Sequence, residues 1–212
     1  MPPRTQEQRR AETRRRLLDA AREVVADRGV AGASIDAVAG AAERTSGALY
    51  DHFGGKNGLI FALLDEWKEA TARAILSDLS ATDDPERRLE AMWTNFASPP
   101  RPPGGEWTLL EHELWLQACR QADVRPHVAE RYEGIRRKLA SAIETGVLGG
   151  PGGRSPEEAA TLATLMIGLM VGLEMQRRLD PGAVTDATAV AGLRALSAGI
   201  NDRAGAAGEG GG

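Results

Sequence analysis

Residues 45–59, Thr45-Ser46-Gly47-Ala48-Leu49-Tyr50-Asp51-His52-Phe53-Gly54-Gly55-Lys56-Asn57-Gly58-Leu59, are the stretch on which the reading of the whole chain turns. Thr45 is a good helix N-cap and Gly54-Gly55 ends a helix, so Ser46 to Phe53 form a short helix. Leu49 and Phe53, four apart, anchor one of its faces. Thr45, Ser46, Gly47, Ala48, Tyr50 and His52 remain for other work, and all are small or hydrogen-bonding residues that can approach a base edge or a phosphate oxygen. Lys56 opens the next helix, where its ammonium and the free amides together suit an anion.

The residues upstream give this helix its setting. Ser34 can cap a second short helix with Ile35, Val38, Ala39 and Ala42 on its buried face and Asp36 in the first turn, where the helix dipole favours a carboxylate. A tight connection through Glu43 and Arg44 leads from it to Thr45. Before it, Leu17, Leu18, Ala21, Val24 and Val25 line one face of a longer helix that stops at Gly29. Three helices with the last two joined by a short turn describe a helix-turn-helix, whose second helix enters the DNA major groove.

Charge bears on this reading. The chain has 26 Lys+Arg against 30 Asp+Glu, and its net charge of -4 argues, as an average, against a nucleic-acid binder. The distribution reverses the argument: residues 1–60 hold ten basic and eight acidic side chains, and the rest hold sixteen and twenty-two. At the very front, Arg4, Arg9, Arg10, Arg14, Arg15 and Arg16 face only Glu7 and Glu12. The single Cys119 excludes a disulfide framework, and His52, His112 and His127 lack metal-ligand spacing, so neither metal nor cofactor is expected. The first apolar pair, Leu17-Leu18, follows an Arg-rich polar start, so no secretory signal is expected and the cytoplasm is the expected location.

Residues 13–67, above all Ala39 to Ala42 followed by the Thr45–Leu59 string, resemble the DNA-binding domain of the tetracycline-repressor (TetR) family of transcriptional regulators. The resemblance implies base or backbone contacts from Ser46, Gly47, Ala48, Tyr50 and His52, and phosphate contacts from Thr45, Lys56 and Ser34. It also implies a homodimer on a double-stranded DNA operator, with a larger C-terminal domain for an unknown small-molecule effector. Two features depart from the family pattern. Glu43 and Arg44 stand where many members have glycine and an aliphatic residue, and Asp36 stands where many have a base-reading arginine. A carboxylate there can accept from cytosine or stabilise the helix start, and the second reading is the favoured one.

Beyond Asp83-Asp84-Pro85 the apolar residues recur at helical spacing, without period-two alternation, so the whole chain reads as all-α. Helices are expected over 85–97, 106–120, 125–146, 156–179 and 186–203. The domain boundaries expected are 1–57 for DNA binding and 58–204 for effector binding and dimerisation, with a disordered tail over 205–212. Trp93, Leu110, Leu114 and Trp115 belong to an aromatic-rich cluster that reads either as core or as the wall of an effector pocket. Leu162, Leu165, Met166, Leu169, Met170 and Leu173, with Leu193 and Leu196 of the last helix, make stripes suited to a four-helix interface between two copies. The competing reading makes that long helix the centre of the monomer. Its uncharged run from Ala159 to Leu173 is shorter than the ~18 residues a membrane span requires, so no membrane partner is expected.

Enzymatic signatures are missing. His112-Glu113 begins like a zinc-protease motif, but the second histidine is replaced by Leu116. The glycine-rich 149–154 segment follows no strand and lacks the Lys-Ser/Thr ending of a phosphate loop. The expectation is a ligand-responsive DNA-binding regulator, most naturally a repressor; the alternative is a dimeric helical adaptor or small-molecule-binding protein without specific DNA binding.

Overall fold

The computed structural model describes residues 5–97, 106–148 and 154–208, and these residues form nine helices. They are α1 (Gln6–Gly32), α2 (Ile35–Ala41), α3 (Ser46–Phe53), α4 (Lys56–Ser80), α5 (Pro85–Ala97), α6 (Glu106–Arg120), α7 (Arg125–Glu144), α8 (Pro156–Leu179) and α9 (Asp186–Gly208). The all-α expectation holds, with differences at some helix ends, α1 running past Gly29 to Gly32. α7 stops short of 146 because Gly146 adopts a left-handed backbone, φ 74°. α9 continues through Gly208, into the stretch expected as tail, where Ala204, Ala206 and Ala207 supply strong helix formers. Residues 209–212 of that tail lie outside the described residues, as does most of the 149–154 segment.

The described residues fall into two compact units, one of residues 5–70 and 106–114, the other of 71–97, 115–148 and 154–208. In the first unit, α1 starts with a reciprocal cap in which the Thr5 amide donates to Gln8 Oε1 at 2.9 Å and the Gln8 amide to Thr5 Oγ1 at 3.2 Å. Gly29 breaks the helical path of α1 with φ 68° and ψ 177°, a conformation open to glycine and strained for other residues. Leu17, Leu18, Ala21, Val24 and Val25 of α1 are buried, as are Val38, Ala39, Leu49, Leu59, Leu63 and Leu64 from the next three helices. α2 packs on both α1 and α3. The turn between α2 and α3 closes with the Arg44 amide donating to the Ala39 carbonyl at 2.8 Å. Its Glu43 holds φ 53°, the left-handed geometry that a glycine would adopt at no steric cost.

The second unit is built on α8, flanked by α7 and α9, with α5 against α9. Ser155 and Glu158 form a capping box at the head of α8, and the Ser155 hydroxyl and amide hold the Glu158 carboxyl below its ordinary range. Leu89, Met92, Trp93, Ile143, Leu162, Met166 and Leu193 form one buried cluster. A charged clasp closes one end of it. Glu174, only 1 % exposed, meets Arg177 and Arg178 at 3.0 Å each. Arg177 also reaches Asp186 at 3.0 Å and the Ala97 carbonyl at 2.9 Å, and lies over the Trp93 ring at 5.4 Å. Trp93 completes the loop by donating its indole N–H to Asp186 at 2.8 Å. Three helices are thus tied together through partners that leave the buried carboxylate compensated.

By length and composition α8 is long and apolar enough to cross a membrane, which the uncharged run by itself did not suggest. Its packing gives that apolarity another role: Ala159, Leu162, Ala163, Met166 and Met170 enter the core of the unit, and Glu174 is held there by two arginines. The same packing divides the expected interface stripe. Leu162, Met166, Met170 and Leu193 are buried within the protomer itself, whereas Leu165 is 47 % exposed and Leu169, Leu173 and Leu196 are half-buried. Leu169, Leu173 and Leu196 also pack against the core cluster, so of these eight side chains only Leu165 is exposed.

Candidate nucleic-acid interface

α3 exists where the sequence places it because both ends are fixed by side chains and glycines. Thr45 Oγ1 accepts the Ala48 amide at 3.2 Å, and Gly54 closes the other end in the left-handed conformation, φ 71°, donating to the Tyr50 carbonyl at 2.8 Å. Leu49 is fully buried and Phe53 half-buried, with the Arg14 guanidinium 4.8 Å from its ring. Pinning these two side chains inward turns Gly47, Tyr50 and Asp51 outward, and Tyr50 is 54 % exposed. An exposed tyrosine beside a basic helix start is unusual for packing and ordinary for contact with a polar surface.

Each candidate residue now has a place. Ser34 caps α2, its hydroxyl accepting the Ala37 amide at 3.1 Å, and Thr45 caps α3 in the same way. The Ser46 hydroxyl donates to Asp36 Oδ1 at 2.6 Å, so the first residue of α3 is tied to the first turn of α2. Ala48, His52 and Lys56 are half-buried. Lys56 stands at the first position of α4, directly after the Gly54-Gly55 turn.

Sequence reasoning did not resolve two features of this region. One is a groove between the start of α1 and the end of α3, lined by Gln6, Arg9, Arg10, Thr13, Asp51 and His52. Burial, then the neighbouring Arg10 and Arg14 guanidinium groups, push the His52 pKa below 6.5, with Asp51 acting in the opposite sense. His52 is therefore neutral near pH 7 in a site already positive. The other is Gly58, where a Cβ would stand 1.8 Å from the Phe53 carbonyl oxygen, so α4 starts as close to the end of α3 as a backbone without a side chain allows. Periodicity cannot reveal such a contact, because an absent side chain leaves no apolar signal.

The four candidate pocket residues are divided between the two units. Leu110 and Leu114 are buried in the first unit, while Trp93 and Trp115 belong to the second. Trp93 is fully buried with its N–H satisfied by Asp186, so it is a core residue. Trp115 is half-buried and meets Tyr132 edge-on with ring centroids 4.8 Å apart.

Comparison with known proteins gives this geometry its context. Residues 17–63 match the model of bacterial regulatory proteins of the tetR family, and residues 85–200 match the model of the C-terminal part of BetI-type transcriptional repressors. No curated protein matches the chain significantly. Among solved structures, the multidrug binding protein EbrR complexed with imidazole is 27% identical, with 92% of this chain and 96% of that one aligned at a TM-score of 0.67. EbrR complexed with proflavin aligns over 87% of this chain and 99% of its own, again at 27% identity, with a TM-score of 0.59. A TetR-family member from Streptomyces coelicolor A3 is also 27% identical, covering 87% of this chain and 98% of its own at a TM-score of 0.64. The two family models take in both the helix-turn-helix and the helical C-terminal region. The chain belongs to the tetR family of bacterial regulatory proteins and is a DNA-binding transcription regulator, not an enzyme.

Proposed function

We propose that this regulator is a ligand-responsive repressor that binds a palindromic operator as a homodimer in the bacterial cytoplasm. The observation that carries the reading is the outward face of α3, with Tyr50 exposed and Lys56 at the head of the adjoining helix, beside a groove carrying Arg9 and Arg10. In this reading Ser46, Gly47, Ala48, Tyr50 and His52 meet bases or backbone, and Thr45, Lys56 and the Ser34 cap lie along phosphates. Pairing uses the outer side of α8, where Leu165, Leu169 and Leu173 alternate with Gly168 and Gly172, together with Leu196 of α9. Such a face on each of two copies satisfies a two-fold arrangement, and a dimer presents two recognition helices to two half-sites.

An effector site is supported by the likeness to EbrR, a multidrug binding protein complexed with imidazole in one structure and with proflavin in another. In this reading Trp115, half-buried and edge-on to Tyr132, belongs to the wall of that site. Effector binding shifts the protein toward an arrangement that no longer matches the half-site spacing, and operator affinity falls by the coupling energy. Selection of sites from random duplexes by the full chain tests the reading: an inverted repeat should be enriched by the wild type and not by Tyr50→Ala.

The position of His52 adds a pH dependence. Its lowered pKa means that the fold favours the neutral ring, so folding stability declines as pH falls through 6.5, where the unfolded chain takes up the proton first. A phosphate entering the groove favours the charged ring and raises the bound-state pKa above that of the free protein. Operator binding then takes up a proton, and affinity falls as pH rises through the bound-state pKa. Dissociation constants measured from pH 5.5 to pH 8 at constant ionic strength, ~0.15 M, should show this trend in the wild type and a flatter profile in His52→Gln. Equal slopes would remove His52 from the phosphate contacts.

A further inference from the structure

We propose that Asp36 and Ser46 act together as a base-reading pair that selects cytosine at the half-site position facing the start of α3. The proposal deepens the DNA-binding reading and depends on it. Its basis is the 2.6 Å hydrogen bond from Ser46 Oγ to Asp36 Oδ1, made between residues ten apart in the chain and on different helices. A carboxylate can only accept, so the serine proton is committed to Asp36 and the serine oxygen keeps its lone pairs for an outside partner. Both groups therefore present acceptors. Asp36 is exposed, and the recognition helix of a helix-turn-helix contacts base edges with its N-terminal residues, of which Ser46 is the first.

The surroundings reinforce this acceptor character. The Ser34 and Thr45 hydroxyls accept the Ala37 and Ala48 amides at 3.1 and 3.2 Å, which holds them against their own helices. Gly47, the residue after Ser46, has no side chain and is exposed, leaving room for close approach. In the major groove guanine offers two acceptors and thymine an acceptor and a methyl group. Adenine offers an amino group next to the N7 acceptor, and cytosine an amino group without an acceptor on its own edge. Two protein acceptors side by side are thus repelled by guanine and thymine and best satisfied by cytosine. An exposed carboxylate also opposes phosphate on every duplex, so it weakens binding except where an amino group compensates. This combination separates a base-reading role from stabilisation of the α2 start, which would be indifferent to DNA sequence.

The test is site selection from random duplexes with the full-length wild type, Asp36→Asn and Ser46→Ala, followed by affinity measurement on the selected site and on an unrelated duplex. Asp36→Asn keeps the shape and supplies a donor. The wild type should fix cytosine at one position per half-site. Asp36→Asn should lower the cytosine-over-guanine preference there by about tenfold or more, leave the other positions unchanged and bind the unrelated duplex more tightly. Ser46→Ala should weaken the same preference while keeping cytosine first. Enrichment by Asp36→Asn of the wild-type sequence with undiminished preference would overturn the assignment and leave Asp36 a helix-start residue. Failure of the wild type to enrich any sequence would overturn the regulator reading, and this assignment with it.

Discussion

Gly58→Ala should destabilise the N-terminal unit by about 1–3 kcal/mol and abolish operator binding, the largest functional loss expected from the smallest change in side-chain volume. The added Cβ would stand 1.8 Å from the Phe53 carbonyl oxygen and 2.9 Å from its carbon. Alanine's better helix propensity, worth about 1 kcal/mol, cannot offset a contact that the backbone must move to relieve. The movement separates the start of α4 from the end of α3, and with it Lys56 from Tyr50. Gly47→Ala is the matched control. There a Cβ meets only Thr45 Oγ1, at 3.7 Å, so the fold accommodates it and any effect is confined to the α3 surface. Urea denaturation and gel-shift affinity read the two consequences separately. Wild-type stability and affinity in Gly58→Ala would show that the close α3–α4 junction is not required.

Trp93→Ala should cost about 3–5 kcal/mol in the C-terminal unit, the range for truncating a fully buried large aromatic side chain. Trp93 sits in a cluster with Leu89, Met92, Leu162, Met166 and Leu193, so the cavity would open at the centre of the unit. It is also a surface of the charged clasp: its indole N–H meets Asp186 and its ring faces Arg177. Trp93→Phe separates these contributions, because it keeps most of the apolar volume and loses the hydrogen bond, while Asp186 retains Arg177 as a partner. The expected order of urea midpoints is wild type, Trp93→Phe, then Trp93→Ala well below. A loss under about 1 kcal/mol for the alanine variant, the size of a surface change, would place Trp93 at the wall of a collapsible cavity instead of in a packed core.

Much of this organisation was legible in the residues themselves. Leu49 and Phe53 between Thr45 and Gly54 announce a short helix with one face pinned inward, and its exposed face follows by subtraction. The helix spacing downstream was equally clear. What the sequence could not show depends on neighbours distant in the chain. The apolar stripe on α8 gives the same periodic signal whether a leucine points to the core or away from it, so Met166 and Leu165 differ only once α7 and α9 are in place. Trp93 reads equally as core or pocket until Asp186 is found at its indole nitrogen. The left-handed backbone at Glu43 is hidden because glutamate gives no turn signal. The hydrogen bond between Ser46 and Asp36 gives no sequence signal because its two ends lie on different helices.

In the proposed function two copies of the chain read a symmetric site through α3. Hydroxyl-radical footprinting of the full-length protein on a duplex taken from the selection is the decisive test. Two protected segments related by a dyad are expected, their centres separated by about one helical turn of DNA, about 10–10.5 base pairs, or a multiple of it. Tyr50→Ala should lose both segments at the same protein concentration. A single asymmetric protected patch, or the same footprint with Tyr50→Ala, would contradict it.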